Sequence, residues 1–418
     1  MGEPVDARTA AQRLGVDVRT LYAYVSRGAL RRVPGPDGKS SRYDSDELEL
    51  LARRSRPRTL PRPAASIDLV IATRVSIVTD GVVRYRGRDV LNLVAAGESF
   101  EDIAELLWSY RPMARTEAKP GTGRTWQLPA DQARTVRLVL GALGGGVPVA
   151  QRFAAVVAAT TGDGAPAAGG APDWPAWGRF LIAALIEASG TGPSDTGPSG
   201  DESSESEMPG GAGAGTDDAV ARRLWQRWSP LRATAARVRA LNTALVLLAE
   251  HELAASTLAV RVAASARAAP AGCVVAGLGT LSGTLHGDAP RLVRERLFRR
   301  PGREDGDAGL PAGVGFGHSV HRHGDPRTAP LLQAVHAIAA PSDRDLIDRA
   351  KRGGPAPPNV DFALGALSHV ARMPPEAATA IFAVARTAGW IAHAAEEYAE
   401  PYVRFRGRAV TPARRPPK

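Results

Sequence analysis

A chain of 418 residues is long enough for about two to three domains with substantial cores, and its single cysteine, Cys273, excludes an internal disulfide. Its 53 basic residues outnumber 43 acidic ones, and the net charge of +10 points to polyanionic partners: nucleic acid, or the phosphates of a nucleotide-bearing substrate. The alternative is a coding bias of a GC-rich genome toward Arg over Lys, which would explain the charge in full. No secretion signal is visible, Asp6 stands where a myristoylation signal needs Ser or Thr, and charges such as Arg267 interrupt the apolar stretches, so a cytoplasmic location is expected.

Residues 1–52 read as a self-contained unit. Thr9 to Val16 has helical spacing with Ala10, Leu14 and Val16 inward, and Gly15 supplies a turn. Asp17 can cap a second helix, Arg19 to Arg27, in which Leu21, Tyr24 and Val25 share a face. Two short strands around Pro34–Gly38 would form a wing, and Ser45 opens a last helix. Eight basic residues and only two acids, Asp17 and Asp37, lie between positions 7 and 42, the imbalance that phosphate contacts need. Through Ala10-Ala11, Leu14-Gly15-Val16, Arg19-Thr20-Leu21-Tyr22 and Arg42-Tyr43 the unit resembles the winged helix-turn-helix of MerR-type regulators and phage excisionases. The resemblance implies DNA contacts from Arg19, Thr20, Tyr22 and Arg42.

Residues 53–65 form a Pro/Arg-rich linker. Val75 to Tyr85 then alternates around Asp80-Gly81, a hairpin signal, and Ser99 caps a helix running through Trp108. Beyond it the chain is almost entirely helical. Residues 189–218 are Gly, Ser, Pro and acid; they cannot bury enough apolar surface to order themselves and read as a disordered insertion. The Gly211–Gly215 run inside it lacks a preceding strand and reads as linker. Leu241, Ala244, Leu245 and Leu248 make an apolar helical stripe that His251 would continue one turn later. Cys273, among Ala, Gly and Val, reads as a buried inert thiol.

Three segments carry the chemistry: Ser282 to Asp288, Gly315 to Arg327, and Asn359-Val-Asp361-Phe. Each places His or Asp in a Gly- or Pro-rich break. Deprotonating a thioester α-carbon needs a carboxylate base and a hydrogen-bond donor for the enolate oxygen. A keto-acid electrophile needs its carbonyl polarised and its carboxylates clamped, best by Arg. Asp361 could instead cap the following helix, and His318, His321, His323 and Asp325 have a spacing that permits a metal.

With Arg84-Tyr-Arg-Gly87, His251 to Thr257 and Phe382 to His393, these segments resemble the citrate synthase family over roughly residues 66–410. The resemblance implies a mainly α two-domain fold: a large domain from 66–287 and 373–418, and a small domain over 288–372. It makes Asp361 the base, His286 the enolate donor and His318 the carbonyl polariser. His251, Arg327 and Arg386 would hold oxaloacetate, joined by an arginine from the partner of a homodimer, Arg404 in preference to Arg406. Arg322, Gly315 and Gly317 would meet acetyl-CoA or propionyl-CoA, with the loop 311–318 lining the adenine. No cofactor or metal is implied beyond the CoA substrate. His321 and His323 are then plain loop residues, and His336, His369 and His393 structural ones. Departures include Thr284 for the usual Pro, Ala254 for Asn, and Ser319-Val-His321 for Arg-Val-Tyr. Asp288 replaces a Gly, and its carboxylate would raise the pKa of His286.

Overall fold

The structure, a computed structural model, describes residues 4–14, 18–26, 30–35, 40–44, 48, 69–109, 126–160, 172–190, 219–298 and 314–406. The expected linker 53–65, the insertion beyond Gly190, Gly15 to Asp17 and most of the helix opening at Ser45 lie outside them, as do the side chains of Leu14, Arg19 and Thr20. The chain divides into two units, residues 1–71 and 72–418.

In the first unit β1 (Pro4–Asp6), α1 (Ala7–Leu14), α2 (Val18–Ser26), β2 (Val33–Pro34) and β3 (Ser41–Asp44) follow in order. The sheet runs β1-β3-β2, both pairs antiparallel. The strand β1 was not foreseen. It positions Asp6, whose Oδ1 accepts from the N–H groups of Arg8 and Thr9 at 2.9 and 2.8 Å and so caps α1. Ala10, Ala11, Leu21, Leu30, Tyr43 and Leu48 form a separate small core, with Tyr24 and Val25 against it.

The second unit opens on β4 (Ser76–Thr79), β5 (Val82–Tyr85) and β6 (Arg88–Asp89). Asp80 and Gly81 have φ of 54° and 77°, the doubly positive turn that matches strand twist, and Ser76 pairs with Tyr85. Helices follow: α3 (Val90–Ala95), α4 (Phe100–Trp108), α5 (Ala130–Leu143), α6 (Val149–Ala159), α7 (Trp174–Ala188), α8 (Val220–Trp228), α9 (Ala235–Leu248), α10 (Ala255–Ser265), α11 (Pro270–Leu281), α12 (Ala289–Leu297), α13 (Thr328–Ile338), α14 (Pro341–Arg352), α15 (Val360–Val370) and α16 (Glu376–Tyr398). Ser99 Oγ accepts from Asp102 N–H at 3.1 Å and caps α4 as its sequence implies. No helix among the described residues is long and apolar enough to cross a membrane.

Helix α16 is the axis of this unit. Its alanine-rich sequence has high helix propensity, and every residue from Ala377 to Ala394 is buried. It packs on α4, α7, α9, α10, α11 and α12. At Gly389 the helix touches the turn after α9: a Cβ there would lie 1.9 Å from Glu250 Oε2. Arg261 of α10 is fully buried and reaches α16 through Glu397 at 2.8 Å, Glu396 at 2.7 Å and His393 Nδ1 at 2.9 Å.

One expectation fails here. The α9 stripe does not carry His251, because the helix stops at Leu248. The Tyr85 hydroxyl lies 3.1, 3.3 and 2.8 Å from the carbonyls of Val246, Leu247 and Glu250, and receives the Glu250 N–H at 3.2 Å. Carbonyls at a helix end need such a partner, and this one comes from a hairpin 161 residues away. Glu252 turns through φ 52° and His251 is left in a short bridge with Leu253. Tyr85→Phe is therefore expected to lower unfolding free energy by about 1–3 kcal/mol, as for a buried donor lost from its acceptors; a denaturant midpoint unchanged from wild type would count against this role.

Candidate active site

Four stretches converge. The turn after α9 supplies His251; α11 ends near His286; the loop 314–327 supplies His318, His321, Asp325 and Arg327; the start of α15 supplies Asp361. Helix α16 lies beneath with Phe382, Arg386 and Trp390. The loop 314–318 is zipped to 357–359: Gly317 N–H donates to Pro357 O at 2.8 Å, Asn359 N–H to Gly315 O at 3.0 Å, and Asn359 Nδ2 to Gly317 O at 2.9 Å. Gly315 and Gly317, with φ of 75° and 71°, thus serve the local backbone.

Asn359, not Asp361, caps α15, its Oδ1 accepting from the N–H groups of Asp361 and Phe362 at 3.0 and 3.3 Å. That frees the Asp361 carboxylate, which takes no hydrogen bond from a described residue. It keeps partial exposure. Burial lifts its pKa from 3.8 to about 7, against the pull of Arg327 and Arg386.

His286 makes a 2.7 Å hydrogen bond between Nε2 and Ser256 Oγ, and Trp390 Nε1–H donates to the same oxygen at 3.3 Å. The Ser256 hydroxyl proton has no other acceptor among the described residues, so it goes to His286. Nε2 is then the acceptor, and the neutral ring carries its proton on Nδ1. Burial, with Arg386 adding to it, presses the pKa of His286 to about 4. The expected effect of Asp288 is overturned. Its carboxylate is held by Arg291 at 2.7–3.0 Å and by Thr379 at 2.9 Å, and it does not act on His286. Thr379 lies 91 residues away on α16, so the sequence neighbourhood gave no sign of it.

His318 is fixed in the complementary way. Its Nδ1 accepts from the backbone N–H groups of Val320 and His321 at 3.1 and 3.2 Å. The neutral ring therefore carries its proton on Nε2, and the 3.5 Å approach of Arg327 Nη2 to that nitrogen is a contact between donors. Burial, then Arg327, lowers its pKa to about 4. Both imidazoles are neutral donors near pH 7.

The arginines differ from expectation in one respect. Arg327 is buried, and its Nε and Nη2 are taken by Asp325 at 2.9 and 2.8 Å, leaving Nη1 as the terminal nitrogen not engaged by that carboxylate. Burial opposes both charges, but each partner holds the other ionised; Asp325 falls to about 2. Arg386, also buried, donates Nε–H to Leu248 O at 2.9 Å and lies 4.9 Å over the Phe382 ring. Its terminal nitrogens make no hydrogen bond to a described residue. The His286 ring meets the same Phe382 edge-on at 5.9 Å.

Two further positions correct the sequence reading. His321 is not a plain loop residue; it is buried, with Nε2 at 2.9 Å from His251 Nε2. His323 is exposed, and among the described residues no group of three His, Cys, Asp or Glu is arranged to hold a metal. Arg404 pairs with Glu397 of its own chain at 2.6 Å through both Nε and Nη2. Arg322 and Arg406 are exposed. Cys273 is buried, its thiol pushed up to about 12. His393 lies between Arg261 and Glu250, and His369 between Asp343 and the Phe298 ring, both structural as read.

Sequence comparison places this geometry. The family model described as citrate synthase, C-terminal domain, matches residues 68–406. The chain is 33% identical over 179 residues to citrate synthase 2 of Bacillus subtilis (strain 168), which is 38% of this chain and 47% of that protein. It is 32% identical over 181 residues to 2-methylcitrate synthase 2 of Corynebacterium glutamicum, 39% and 46% of the two. It thus matches less than half the length of these curated relatives. Among solved structures it is similar to the ternary complex of carboxymethyl coenzyme A and oxaloacetate with the citrate synthase of Thermoplasma acidophilum, with a TM-score of 0.63 and 21% identity over 84% of this chain and 96% of that one. Citrate synthase from Pyrobaculum aerophilum gives 0.60 and 20%, over 84% and 92%. These last likenesses establish the fold.

The raised pKa of Asp361 has a cost that can be measured. Between pH 3.8 and about 7 the unfolded chain has released this proton and the folded chain still holds it. Stability therefore falls as pH rises through that window. Asp361→Asn removes the penalty, so at pH 8 the variant is expected to exceed wild type by about 1–4 kcal/mol, and by nothing at pH 3.5. Equal stabilities at pH 8 would show that the carboxylate is not desolvated.

Proposed function

The chain belongs to the citrate synthase family, and from that premise we propose that it condenses acetyl-CoA with oxaloacetate to give citrate and CoA. The observation that carries this reading is the pairing of an unbonded carboxylate near pKa 7 with two neutral imidazoles whose proton-bearing nitrogens are fixed. In this reading Asp361 takes a proton from the acyl α-carbon. His286 donates Nδ1–H to the thioester oxygen as it gains enolate charge. The nucleophilic carbon attacks the keto carbon of oxaloacetate, whose oxygen is polarised by His318 Nε2–H, takes a proton from it as the C–C bond forms, and stays on that carbon as the hydroxyl of the citryl thioester. Water then cleaves the citryl thioester, and CoA departs as the thiol. Neutral donors suit both steps, because a matched weak acid stabilises developing charge without surrendering its proton early.

Arg386, Arg327 and His251 would hold the keto-acid carboxylates, and the exposed Arg322 would meet CoA phosphate beside Gly315 and Gly317. Residues 288–372 would form the small domain of a fold that closes on substrate. A homodimer would bring the further arginine, Arg404 or Arg406, to its partner's site; Arg404 would have to leave Glu397 to do so. Propionyl-CoA, giving 2-methylcitrate, is the nearest alternative. One methylene changes binding by only about 1–3 kcal/mol, so the ratio of kcat/KM for the two thioesters decides between them.

Thiol release with acetyl-CoA and oxaloacetate is expected, lost by roughly 10³-fold or more in Asp361→Ala. The wild-type kcat/KM should rise with pH through about 7 as Asp361 ionises. A folded protein inactive with both thioesters would refute the reading.

A second reading applies to the first unit alone. Helix α2 buries Leu21 completely but leaves Tyr22 51% exposed, so it presents an open face, and Arg42 lies on β3 of the same unit. We propose that this unit binds DNA. A mobility-shift titration should give saturable binding whose log–log salt slope drops by about 1 for each phosphate contact removed in Arg19→Ala and Arg42→Ala. No retardation at low salt would rule it out.

A further inference from the structure

We propose that His321 is a positioning residue: it sets the tautomer of His251, so that His251 presents Nδ1–H to a carboxylate of the keto acid. The proposal rests on the reading of His251 as a substrate-holding residue.

Two imidazoles with Nε2 atoms 2.9 Å apart must be one donor and one acceptor. The two choices are not equivalent. His321 Nδ1 is buried without a hydrogen-bond partner among the described residues. If His251 were the donor, His321 would carry its proton on that buried Nδ1, leaving an orphaned N–H. Orphaned buried N–H groups are rare and costly. If His321 is the donor, the buried Nδ1 is a bare lone pair, and His251 accepts at Nε2. The proton of His251 then sits on Nδ1, which makes no hydrogen bond to a described residue.

The surroundings favour the same choice. His251 is buried and held neutral, first by burial and then by Arg327 and Arg386. A neutral ring attracts a carboxylate only through the nitrogen that bears the proton; with Nδ1 bare, two lone pairs would face each other. The His321 ring is itself immobilised, 5.1 Å from His251 and 4.8 Å from His318. Its backbone N–H donates to His318 Nδ1. One residue thus specifies the proton position of two imidazoles, by its main chain in one case and its side chain in the other.

The test uses the full-length protein with His321→Gln, whose amide can still donate to His251 Nε2, and His321→Leu, which cannot. Imidazole nitrogen NMR of the wild type should show His251 protonated on Nδ1, and His321→Leu should lose that preference. In turnover, His321→Leu should raise KM for oxaloacetate by about 10- to 100-fold, the range for one hydrogen bond to a charged group. KM for acetyl-CoA should move by less than about twofold, and His321→Gln should restore most of the oxaloacetate KM. His251 protonated on Nε2 in the wild type, an unchanged tautomer in His321→Leu, or a Gln variant as impaired as Leu would each overturn the proposal. The NMR needs no substrate, so a wild type that turns over neither thioester would sink the functional reading while the spectrum still decides the role of His321.

Discussion

The site hangs on the carboxylate of Asp325. Its Oδ1 accepts from the backbone N–H and Nε of Arg327, and its Oδ2 accepts from Arg327 Nη2 and from the backbone N–H of Val360. Three of these hydrogen bonds hold Arg327 within the loop, and the fourth, from Val360, ties that loop to the first turn of α15. Together with the bonds between 314–318 and 357–359, they set Asp361, next after Val360, in one frame with Arg327 and His318. A buried ion pair of this kind is weak evidence for stability, since desolvation consumes much of its Coulombic gain. Its value here is geometric. It orients a guanidinium whose charge it largely cancels.

Burial does the rest by acting in opposite senses on acids and bases. It lifts Asp361 toward neutrality and presses His286 and His318 away from the charged form. The same desolvation thus produces a carboxylate basic enough to reach for a weak carbon acid and two imidazoles that remain neutral donors. Local hydrogen bonds then select which nitrogen of each ring bears the proton: Ser256 for His286, two backbone N–H groups for His318. Neither effect alone would suffice. Burial fixes the charge state and the hydrogen bonds fix its direction.

Much of this was legible in the chain. Asp80-Gly81 gave the hairpin, Ser99 the start of α4, and the His and Asp breaks gave the three segments that meet. What escaped were contacts between distant positions. The end of α9 depends on Tyr85, 161 residues earlier, so a periodic stripe overran it to His251. Asp288 looked like a perturbation of His286 because the two are neighbours in sequence, whereas its partners are Arg291 and Thr379. His321 looked incidental because its role is a side-chain contact across 70 residues. Periodicity and spacing report local geometry; they do not report which buried polar atoms find each other.

Charge balance bears on the proposed dimer. A keto dicarboxylate would bring two negative charges next to Asp361. Arg327 is already matched by Asp325, and Arg386 is left as a cation whose terminal nitrogens make no hydrogen bond to a described residue. One such cation, itself near the Glu250 carboxylate, against two substrate carboxylates would push Asp361 still higher and hold it protonated, the wrong state for a base. A second cation beside the substrate would reverse that push. Among the described residues Arg404 has a guanidinium in the C-terminal segment that could carry it, but it is bound within its own chain to Glu397, a residue that also holds Arg261. Supplying it to a neighbour would exchange that ion pair for a substrate carboxylate and leave Glu397 with Arg261 alone, so the exchange is feasible only because Arg261 remains to keep the buried carboxylate paired.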